Sequence, residues 1–380
     1  MDRQTQKRLF EEIRGYMATG STKLADGEMP YPAKAYHDPE HLAREKRLLH
    51  KFPLIVGHAD ELKNAGDFIA HDLLGLPVIV SRQKDGSLSA FRNVCSHRGA
   101  PVCDQRRGNA SQFICPYHAW SFKTDGTLKG FPRSAFPGLD KEAGSLPQLQ
   151  VAERLGLIWV KVDDDTGIDI EQHLRTIHDE IEGLGIQNCI LHRSEVFEAN
   201  INWKSVLDGF LEIYHFAALH AGSIGPYFYG THSPFDGFGL NGRLLGVRKS
   251  FDTIADKPFE EVDFLPNVAV NYQIFPNTII VWQGDHFETW TSFPGSDPGK
   301  CRVLVQMAVP RESYTEETIP RWKRNWQIMT DTVIGEDWAI SEEVQQALPF
   351  IANGQVFFGA NEPGLQHLHG NLADTLRAIN

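Results

Sequence analysis

The 380-residue sequence has few cysteines, no long apolar run and a deficit of basic side chains. Five cysteines, an odd number in so long a chain, do not resemble a disulfide framework. No window reaches the apolar length that crosses a bilayer, and the first residues lack the apolar core of an export signal. Lys and Arg number 37 against 49 Asp and Glu, and this balance argues against nucleic acid or anionic membranes as partners. We therefore expect a cytoplasmic protein that binds neither.

The composition is that of a globular protein, with 41% hydrophobic and 23% charged residues. From about residue 52 to 162, short apolar runs separated by Asp-Gly and Gly-Asn turns predict a small all-β module. Helical spacing follows at Gln172–Gly183 and Trp203–Leu219, strands are predicted between residues 244 and 309, and a long amphipathic helix over Glu317–Leu348 should break near Gly335. We expect an N-terminal helical segment (1–45), a β domain (46–165) and an α+β domain (166–380).

The β module carries two loops that each contain one cysteine and one histidine. Cys95 and His97 form a C-x-H pair, and Cys115 and His118 follow on the second loop. Four such ligands can hold one zinc ion, or they can hold a Rieske [2Fe–2S] centre with two thiolates on one iron and two imidazoles on the other. The presence of one Cys and one His on each loop favours the two-iron centre, and zinc remains the alternative.

A second candidate metal site lies in the α+β domain. His215 and His220 are five residues apart, or about 140° around a regular helix, so they can converge on one ion only if the helix distorts or ends between them. Ala221-Gly222 offers such an end. Two histidines and one carboxylate form the facial triad that binds Fe(II) with open positions. We expect the carboxylate from Asp337, with Asp331 as the fallback.

The motifs resemble those of the Rieske non-haem iron oxygenases. The stretches NVCSHRGAPVC and FICPYHAWSF resemble the two cluster loops of that family. The segment from Glu212 to His220 resembles its iron-site motif D/E-x-x-H-x-x-x-x-H. Glu336 to Gln345 resembles its E-D-x-x-x-x-E-x-x-Q stretch, and Gly364–Leu376 resembles its C-terminal helix. The resemblance covers roughly residues 45 to 376.

This resemblance implies a ligand set and a fold. The residues implied to bind metal are Cys95, Cys115, His97 and His118 for the cluster, and His215, His220 and Asp337 for Fe(II). Glu212 would link His215 to the cluster histidine, His118, of a neighbouring subunit in a head-to-tail homotrimer. The implied architecture is α+β: an all-β Rieske domain and a helix-grip catalytic domain with an antiparallel sheet and long helices, on which the N-terminal segment packs.

The resemblance also implies an activity. The chain would use O₂ and electrons from NAD(P)H, delivered by a separate flavin-containing reductase with or without a ferredoxin, to hydroxylate or demethylate a small organic substrate such as an aromatic compound or a methylated amine. The chain shows no flavin or nicotinamide fingerprint of its own. Arene cis-dihydroxylation, as in aromatic hydrocarbon catabolism, is the alternative reaction, and a Rieske electron-transfer protein is the alternative class. The resemblance leaves open whether a small β subunit is part of the complex.

Two further residues are candidates for the substrate pocket. Asp208 stands where relatives commonly carry Asn, and it could pair with a cationic substrate or make a structural hydrogen bond. Phe216 follows the first iron histidine and could form a pocket wall or pack in the core.

Overall fold

The computed structural model describes residues 1–163 and 166–379. They divide into two compact units. Met1–Leu49 and the chain from Leu174 onward form one unit, and His50–His173 form the other. Asp164 and Asp165, where the sequence placed the end of the β domain, lie outside the described residues, as does Asn380. Within the described ranges, no helix has both the length and the apolarity needed to span a membrane.

The secondary structure consists of α-helices, antiparallel strands and short 3₁₀ turns. The α-helices are α1 (Arg3–Thr19), α2 (Pro39–His50), α3 (Ile170–Leu174), α4 (Thr176–Gly183), α5 (Trp203–Asp208), α6 (Ile319–Thr332), α7 (Trp338–Ala347) and α8 (Pro363–Ala378). The strands are β1 (Met29–Pro32), β2 (Leu54–His58), β3 (Asp67–His71), β4 (Val78–Arg82), β5 (Leu88–Arg92), β6 (Arg107–Asn109), β7 (Phe113–Ile114), β8 (Ser121–Phe122), β9 (Leu128–Gly130), β10 (Gln148–Arg154), β11 (Leu157–Lys161), β12 (Cys189–Ala199), β13 (Phe235–Phe238), β14 (Asn241–Val247), β15 (Val268–Ile274), β16 (Thr278–Trp282), β17 (Phe287–Pro294), β18 (Cys301–Pro310) and β19 (Gln355–Phe358). The 3₁₀ turns are Ala33–Tyr36, Ala59–Glu61, Arg133–Ala135, Ile186–Asn188, Tyr214–Ala217, Gly225–Tyr227, Lys249–Thr253, Phe259–Glu261, Leu265–Asn267, Arg311–Ser313, Leu348–Phe350 and Ala352–Gly354.

The unit from His50 to His173 is built from two antiparallel sheets. One has seven strands in the order β2-β11-β10-β5-β4-β3-β6, and the other has three in the order β7-β8-β9. Its core includes Phe91, Phe113 and Trp120, which pack together with the two loop cysteines, Cys95 and Cys115. The predicted all-β module is confirmed, and the core holds the loops that carry the Cys and His pairs.

The second unit contains a seven-stranded antiparallel sheet in the order β12-β18-β17-β16-β15-β14-β13. The strands β14 to β18 occupy the stretch where the sequence predicted strands, whereas β12 and β13 lie before it and were not predicted. In addition, β1 pairs with β19 in a separate two-stranded sheet. Helices accompany this sheet, among them α8, which contacts β13 and β14. The α+β class with antiparallel sheets is therefore confirmed.

One predicted helix differs from the structure, and the break predicted in another is confirmed. The single helix predicted over Trp203–Leu219 is wrong, since α5 ends at Asp208 and the chain resumes as the 3₁₀ turn Tyr214–Ala217. The Glu212 side chain causes the restart, because it accepts the amide protons of Tyr214 and His215. The break expected near Gly335 is confirmed: a π-helix over Val333–Asp337 separates α6 from α7.

A buried ion pair fixes the start of this interrupted segment. Lys204 Nζ on α5 lies 2.6 Å from Glu45 Oε1 on α2, and both side chains are at most 1% exposed. Lys204 also donates to the carbonyl of Ala35, and Trp203 Nε1 donates to the other carboxylate oxygen of Glu45. Burial would raise the pKa of the Glu45 carboxyl, but Lys204 and His41 hold it below its ordinary value. These bonds join α2 to α5.

Replacing Lys204 by Met should lower the free energy of unfolding by about 3–5 kcal/mol, because Glu45 would remain charged and buried without its partner. The matched control is Lys7→Met, which breaks the exposed pair Lys7–Glu260 and should change the free energy of unfolding far less, because water screens that pair. Urea unfolding followed by circular dichroism measures both. Equal losses in the two variants would contradict the importance of the buried pair.

Candidate metal centres and the adjoining cavity

The two cysteine loops share one backbone geometry. In the first loop the Cys95 amide donates to the Ala100 carbonyl, and the Gly99 amide donates back to the Cys95 carbonyl, both at 2.8 Å. The second loop repeats both bonds from Cys115, with Ala119 in the place of Gly99. Gly99 and Ala119 have positive φ values of 78° and 57°. An alanine with a left-handed backbone conformation costs roughly 1–2 kcal/mol, so Ala119 gives the second loop strain of the kind found at functional sites.

The side chains of these loops are placed for metal binding. Cys95 and Cys115 are buried and form no disulfide. Burial and the neighbouring Cys115 raise the pKa of the Cys95 thiol, so a metal is needed to favour the thiolate. The His97 and His118 rings lie 4.6 Å apart. Trp120 stacks on His97 with ring centroids 4.9 Å apart, and His97 Nδ1 is buried without a hydrogen-bond partner in the described structure.

The spacing of the four donors favours a two-iron centre over zinc. A single tetrahedral zinc would bring its ligand atoms within about 4 Å of one another. Among the described residues, no three of these four donors have ligand atoms that all lie within 4.8 Å of each other. A [2Fe–2S] rhomb separates its thiolates from its imidazoles and fits this arrangement. His118 is exposed, whereas both cysteines are buried.

The second candidate centre brings together two histidines five residues apart and an aspartate more than a hundred residues further along the chain. His215, His220 and Asp337 each offer a ligand atom, and these atoms all lie within 4.8 Å of one another. Asp337 Oδ1 is 3.4 Å from His215 Nε2 and 3.1 Å from His220 Nε2. His215 Nε2 is buried without a hydrogen-bond partner within the described residues. Two imidazole nitrogens and one carboxylate that face a common point match the donor set of a facial triad.

Two carboxylates orient the imidazoles. Glu212 accepts a hydrogen bond from His215 Nδ1, and Glu336 accepts one from His220 Nδ1 at 2.7 Å. Ser223 donates to the same Glu336 oxygen. Since a carboxylate only accepts, each Nδ1 carries a proton, and Nε2 is the nitrogen left to bind a metal ion. Sequence reasoning did not assign Glu336 a role, although its position beside Asp337 in the quoted motif was a usable signal.

The electrostatics of the site favour a cation. Burial lowers the pKa of His215, but the bonds to Asp337 and Glu212 outweigh it and raise the pKa to about 9. Burial raises the pKa of Asp337, but His215 and His220 outweigh it, so the carboxyl titrates below its ordinary range. In the absence of a metal the imidazoles therefore tend to hold protons. A divalent ion would replace that positive charge and satisfy the same three donors.

The remaining predicted site residues lie in different places. Asp331 is exposed and accepts a hydrogen bond from Gln327, so it does not join the three donors. The Asp208 oxygens are bonded to Tyr36 and His369 at 2.8 and 2.7 Å. Asp208 does not line the cavity described below. Of the two roles predicted for it, the structure therefore agrees with the structural hydrogen bond and not with the contact to a substrate.

A cavity of about 710 Å³ opens beside the three donors. His215, His220 and Asp337 lie in its wall, and so does Phe216. The other lining residues come mostly from the turn after His220, from the strands β14 to β17 and from α6. They include an apolar group (Phe210, Ile213, Ile224, Phe228, Val281, Met329) and a polar group (Arg248, Asn271, Gln283, Asp285, His286, Glu288, Arg321, Arg324, Asn325). No local pattern in the sequence aligns these strands with one another, so the polar group was not predicted.

Gly225 allows the chain to close tightly behind the histidines. Its amide donates to the His220 carbonyl at 2.8 Å. A Cβ at this position would lie 2.6 Å from the Phe216 carbonyl oxygen and 2.7 Å from that of His220. Any side chain larger than hydrogen would therefore displace the loop that carries His220.

Two family models match the chain. The Rieske [2Fe–2S] domain matches residues 52–142, and the catalytic domain of the ring-hydroxylating alpha subunit matches residues 186–378. The two units thus define the class, a Rieske domain joined to a catalytic domain that binds mononuclear iron. The chain belongs to the ring-hydroxylating alpha subunit family of Rieske oxygenases.

Individual relatives agree with this family. The carnitine monooxygenase oxygenase subunit of Acinetobacter pittii (strain PHEA-2) is 30% identical over 212 residues, which cover 53% of this chain and 57% of that protein. The chloroplastic choline monooxygenase of Spinacia oleracea is 28% identical over 364 residues, 91% of this chain and 78% of that one. Several of the curated relatives, including the first, are thus matched over only about half of their length.

A solved structure shares the fold. The quaternary ammonium Rieske monooxygenase CntA in complex with L-carnitine aligns with a TM-score of 0.76 at 22% identity, covering 95% of this chain and 98% of that chain. At this identity the similarity concerns the fold alone.

Replacing Asp337 by Ala should remove the mononuclear iron and leave the visible spectrum of the cluster unchanged, because the two sets of donors share no residue. Iron analysis should fall from roughly three to roughly two irons per chain. Asp331→Ala is the matched control and should keep the full iron content. Unchanged iron in the Asp337 variant would show that the third ligand lies elsewhere.

Proposed function

We propose that the chain is the oxygenase component of a Rieske system that hydroxylates or demethylates a small organic substrate. The observation that carries the proposal is the set of three donors, His215, His220 and Asp337, in the wall of the cavity, within a chain that also has a Rieske domain. A pure electron carrier has no use for the second donor set or for the cavity. The electron-transfer alternative therefore has less support.

The donors divide between two metal groups in this proposal. Cys95, Cys115, His97 and His118 would hold the [2Fe–2S] cluster, and His215, His220 and Asp337 would hold Fe(II). When bound, the iron would supply O₂ activation and the cluster would supply an electron for it.

The chain's own residues set the geometry for that chemistry. Glu212 and Glu336 keep the Nδ1 protons in place, so that both Nε2 atoms remain available as ligands. Phe216 packs against both imidazoles, with ring centroids 4.9 Å from His215 and 5.2 Å from His220. This aromatic wall positions an apolar or cationic group beside the donors and limits the access of water to them.

Glu212 has a second proposed role. It contacts His215 and keeps 13% of its side chain exposed, while His118 is exposed on the Rieske unit. We include a head-to-tail homotrimer in the proposal, in which Glu212 bridges His215 and the partner subunit's His118. Electrons would reach the cluster from NAD(P)H through a separate flavin-containing reductase, with or without a ferredoxin. The five free cysteines suit a reducing compartment such as the cytoplasm.

The proposed substrate is a methylated amine. The relatives named above are a carnitine and a choline monooxygenase, and the structural neighbour binds L-carnitine. Phe216 and Phe228 both line the cavity with ring centroids 5.6 Å apart, and aromatic rings are a favourable environment for a quaternary ammonium group. Hydroxylation at an N-methyl carbon would lead to demethylation.

Screening by O₂ consumption tests the reaction. With the iron-loaded protein and a surrogate reductase, methylated amines should stimulate O₂ uptake and yield a stoichiometric demethylated or hydroxylated product, whereas matched unmethylated amines should not. Product analysis that finds only arene cis-diols from aromatic acids would replace the proposed reaction by dihydroxylation. A protein that accepts electrons but never consumes O₂ would contradict the oxygenase assignment.

Glu212→Gln should leave both metals bound, because the amide oxygen still accepts from His215 Nδ1, but should slow product formation by roughly 10–100-fold or more. Glu343→Gln, on the exposed face of α7, is the matched control and should behave as the unmodified protein. Iron content, the cluster spectrum and single-turnover product are measured together. Normal turnover of the Glu212 variant, or an active monomer in sedimentation, would contradict the bridge between subunits.

A further inference from the structure

Arg248 is an unpaired cation in the cavity wall. It follows β14 directly, and within the described structure it forms no ion pair. Its Nη2 donates to the carbonyl oxygen and to the Oε1 of Gln283 at 3.1 and 2.8 Å. Its other guanidinium nitrogens have no protein partner and are not among the buried unpartnered atoms of the described residues, so they remain accessible. A half-buried guanidinium with free donors favours an anion.

The neighbouring acids do not neutralise Arg248. Asp285 is paired with Arg321 and His286. Glu288 is buried, accepts from Gln283 Nε2 at 3.1 Å, and lies 3.4 Å from His286 Nε2. Burial lowers the pKa of the Arg248 guanidinium, and the nearby Asp285 and Glu288 only partly oppose this effect. Both acids thus have partners of their own.

The orientation of Arg248 is fixed before any ligand binds. Glu288 can only accept, so it holds the amide nitrogen of Gln283 and leaves the amide oxygen for Arg248. Trp290 Nε1 donates to the second oxygen of Glu288 at 3.3 Å. The guanidinium carbon of Arg248 lies 4.7 Å from the centre of the Phe228 ring, which supports the fork from one side. A preorganised fork reduces the entropy lost when a ligand binds.

An aromatic wall connects Arg248 to the metal donors. Phe216 contacts the His220 ring, Phe228 contacts Phe216 at 5.6 Å, and Arg248 lies over Phe228. All of these residues line the same cavity. A ligand that binds along this wall has one end at Arg248 and the other at His215, His220 and Asp337.

We propose that Arg248, held by Gln283 and Phe228, is the subsite for a carboxylate of the substrate, so that the substrate is a small acid whose reactive end points to the three metal donors. The guanidinium fork matches the two oxygens of a carboxylate in one plane. This inference rests on the proposed function and adds the substrate class. Among methylated amines, the Arg248 subsite would favour amino-acid betaines over amino alcohols.

Two pairs of probes each compare a carboxylate with the alcohol of the same carbon skeleton: glycine betaine with choline, and benzoate with benzyl alcohol. Calorimetric titration of the iron-loaded protein under nitrogen, without reductase, should give at least about tenfold tighter binding for the acid of a pair. In Arg248→Gln the preference should fall to within about twofold. Lys323→Gln removes an equal charge from the exposed face of α6, outside the cavity, and should retain the preference.

Three results would overturn the subsite: equal affinity for acid and alcohol in the unmodified protein, failure of both acids to bind, or an acid preference that survives Arg248→Gln. The first two comparisons need no variant. If Arg248→Gln does not fold, Arg248→Lys keeps the charge without the fork and should lower the preference at least about threefold. Because no turnover occurs in the titration, absence of the acid preference in the unmodified protein counts against the subsite alone. An acid that binds through Arg248 but is never oxidised counts against the proposed function alone.

Discussion

The convergence of His215, His220 and Asp337 is the constraint on which the catalytic unit depends. Each imidazole lies between two carboxylates, with Glu212 or Glu336 at Nδ1 and Asp337 near Nε2. Three acids around two imidazoles would repel one another in a partly buried site unless positive charge balances them. A divalent metal cation, or a second proton on each imidazole, supplies two positive charges, and the cation places them at the point that all three ligand atoms face.

Regular helices cannot produce this convergence, so the chain departs from them in both contributing segments. On one side α5 ends at Asp208, and a 3₁₀ turn then places His215. On the other side the π-helix Val333–Asp337 shifts the register between α6 and α7, which turns both Glu336 and Asp337 towards the histidines. The buried Lys204–Glu45 pair fixes α5 upstream of the break. Each irregularity therefore has a tertiary contact that holds it.

Features of the site that depend on residues close together in sequence were predictable, and features that depend on distant residues were not. The loops of Cys95 and Cys115 are short motifs whose spacing alone indicates their chemistry, and the need for a break between His215 and His220 follows from helical geometry. The position of the break was not readable, because it depends on the Glu212 side chain and on the bonds of Asp208 to Tyr36 and His369. Tyr36 and His369 each lie more than a hundred residues from Asp208 in the sequence. The Arg248–Gln283 contact likewise depends on the ends of strands that no local pattern aligns.

The proposed metal donors and the residues around Arg248 lie on different kinds of segment, and this separation has a functional consequence. The metal donors lie on irregular segments whose geometry is fixed by Glu212, Glu336 and the π-helix, whereas Arg248 and Gln283 lie at the ends of β14 and β16. The aromatic wall of Phe216 and Phe228 connects the two groups. In the described part of the chain, the hydrogen bonds of the Arg248 guanidinium go to Gln283 and not to His215, His220 or Asp337. Under the proposed function, the charge at the Arg248 position would therefore set which substrate enters, while the proposed iron donors stay in place.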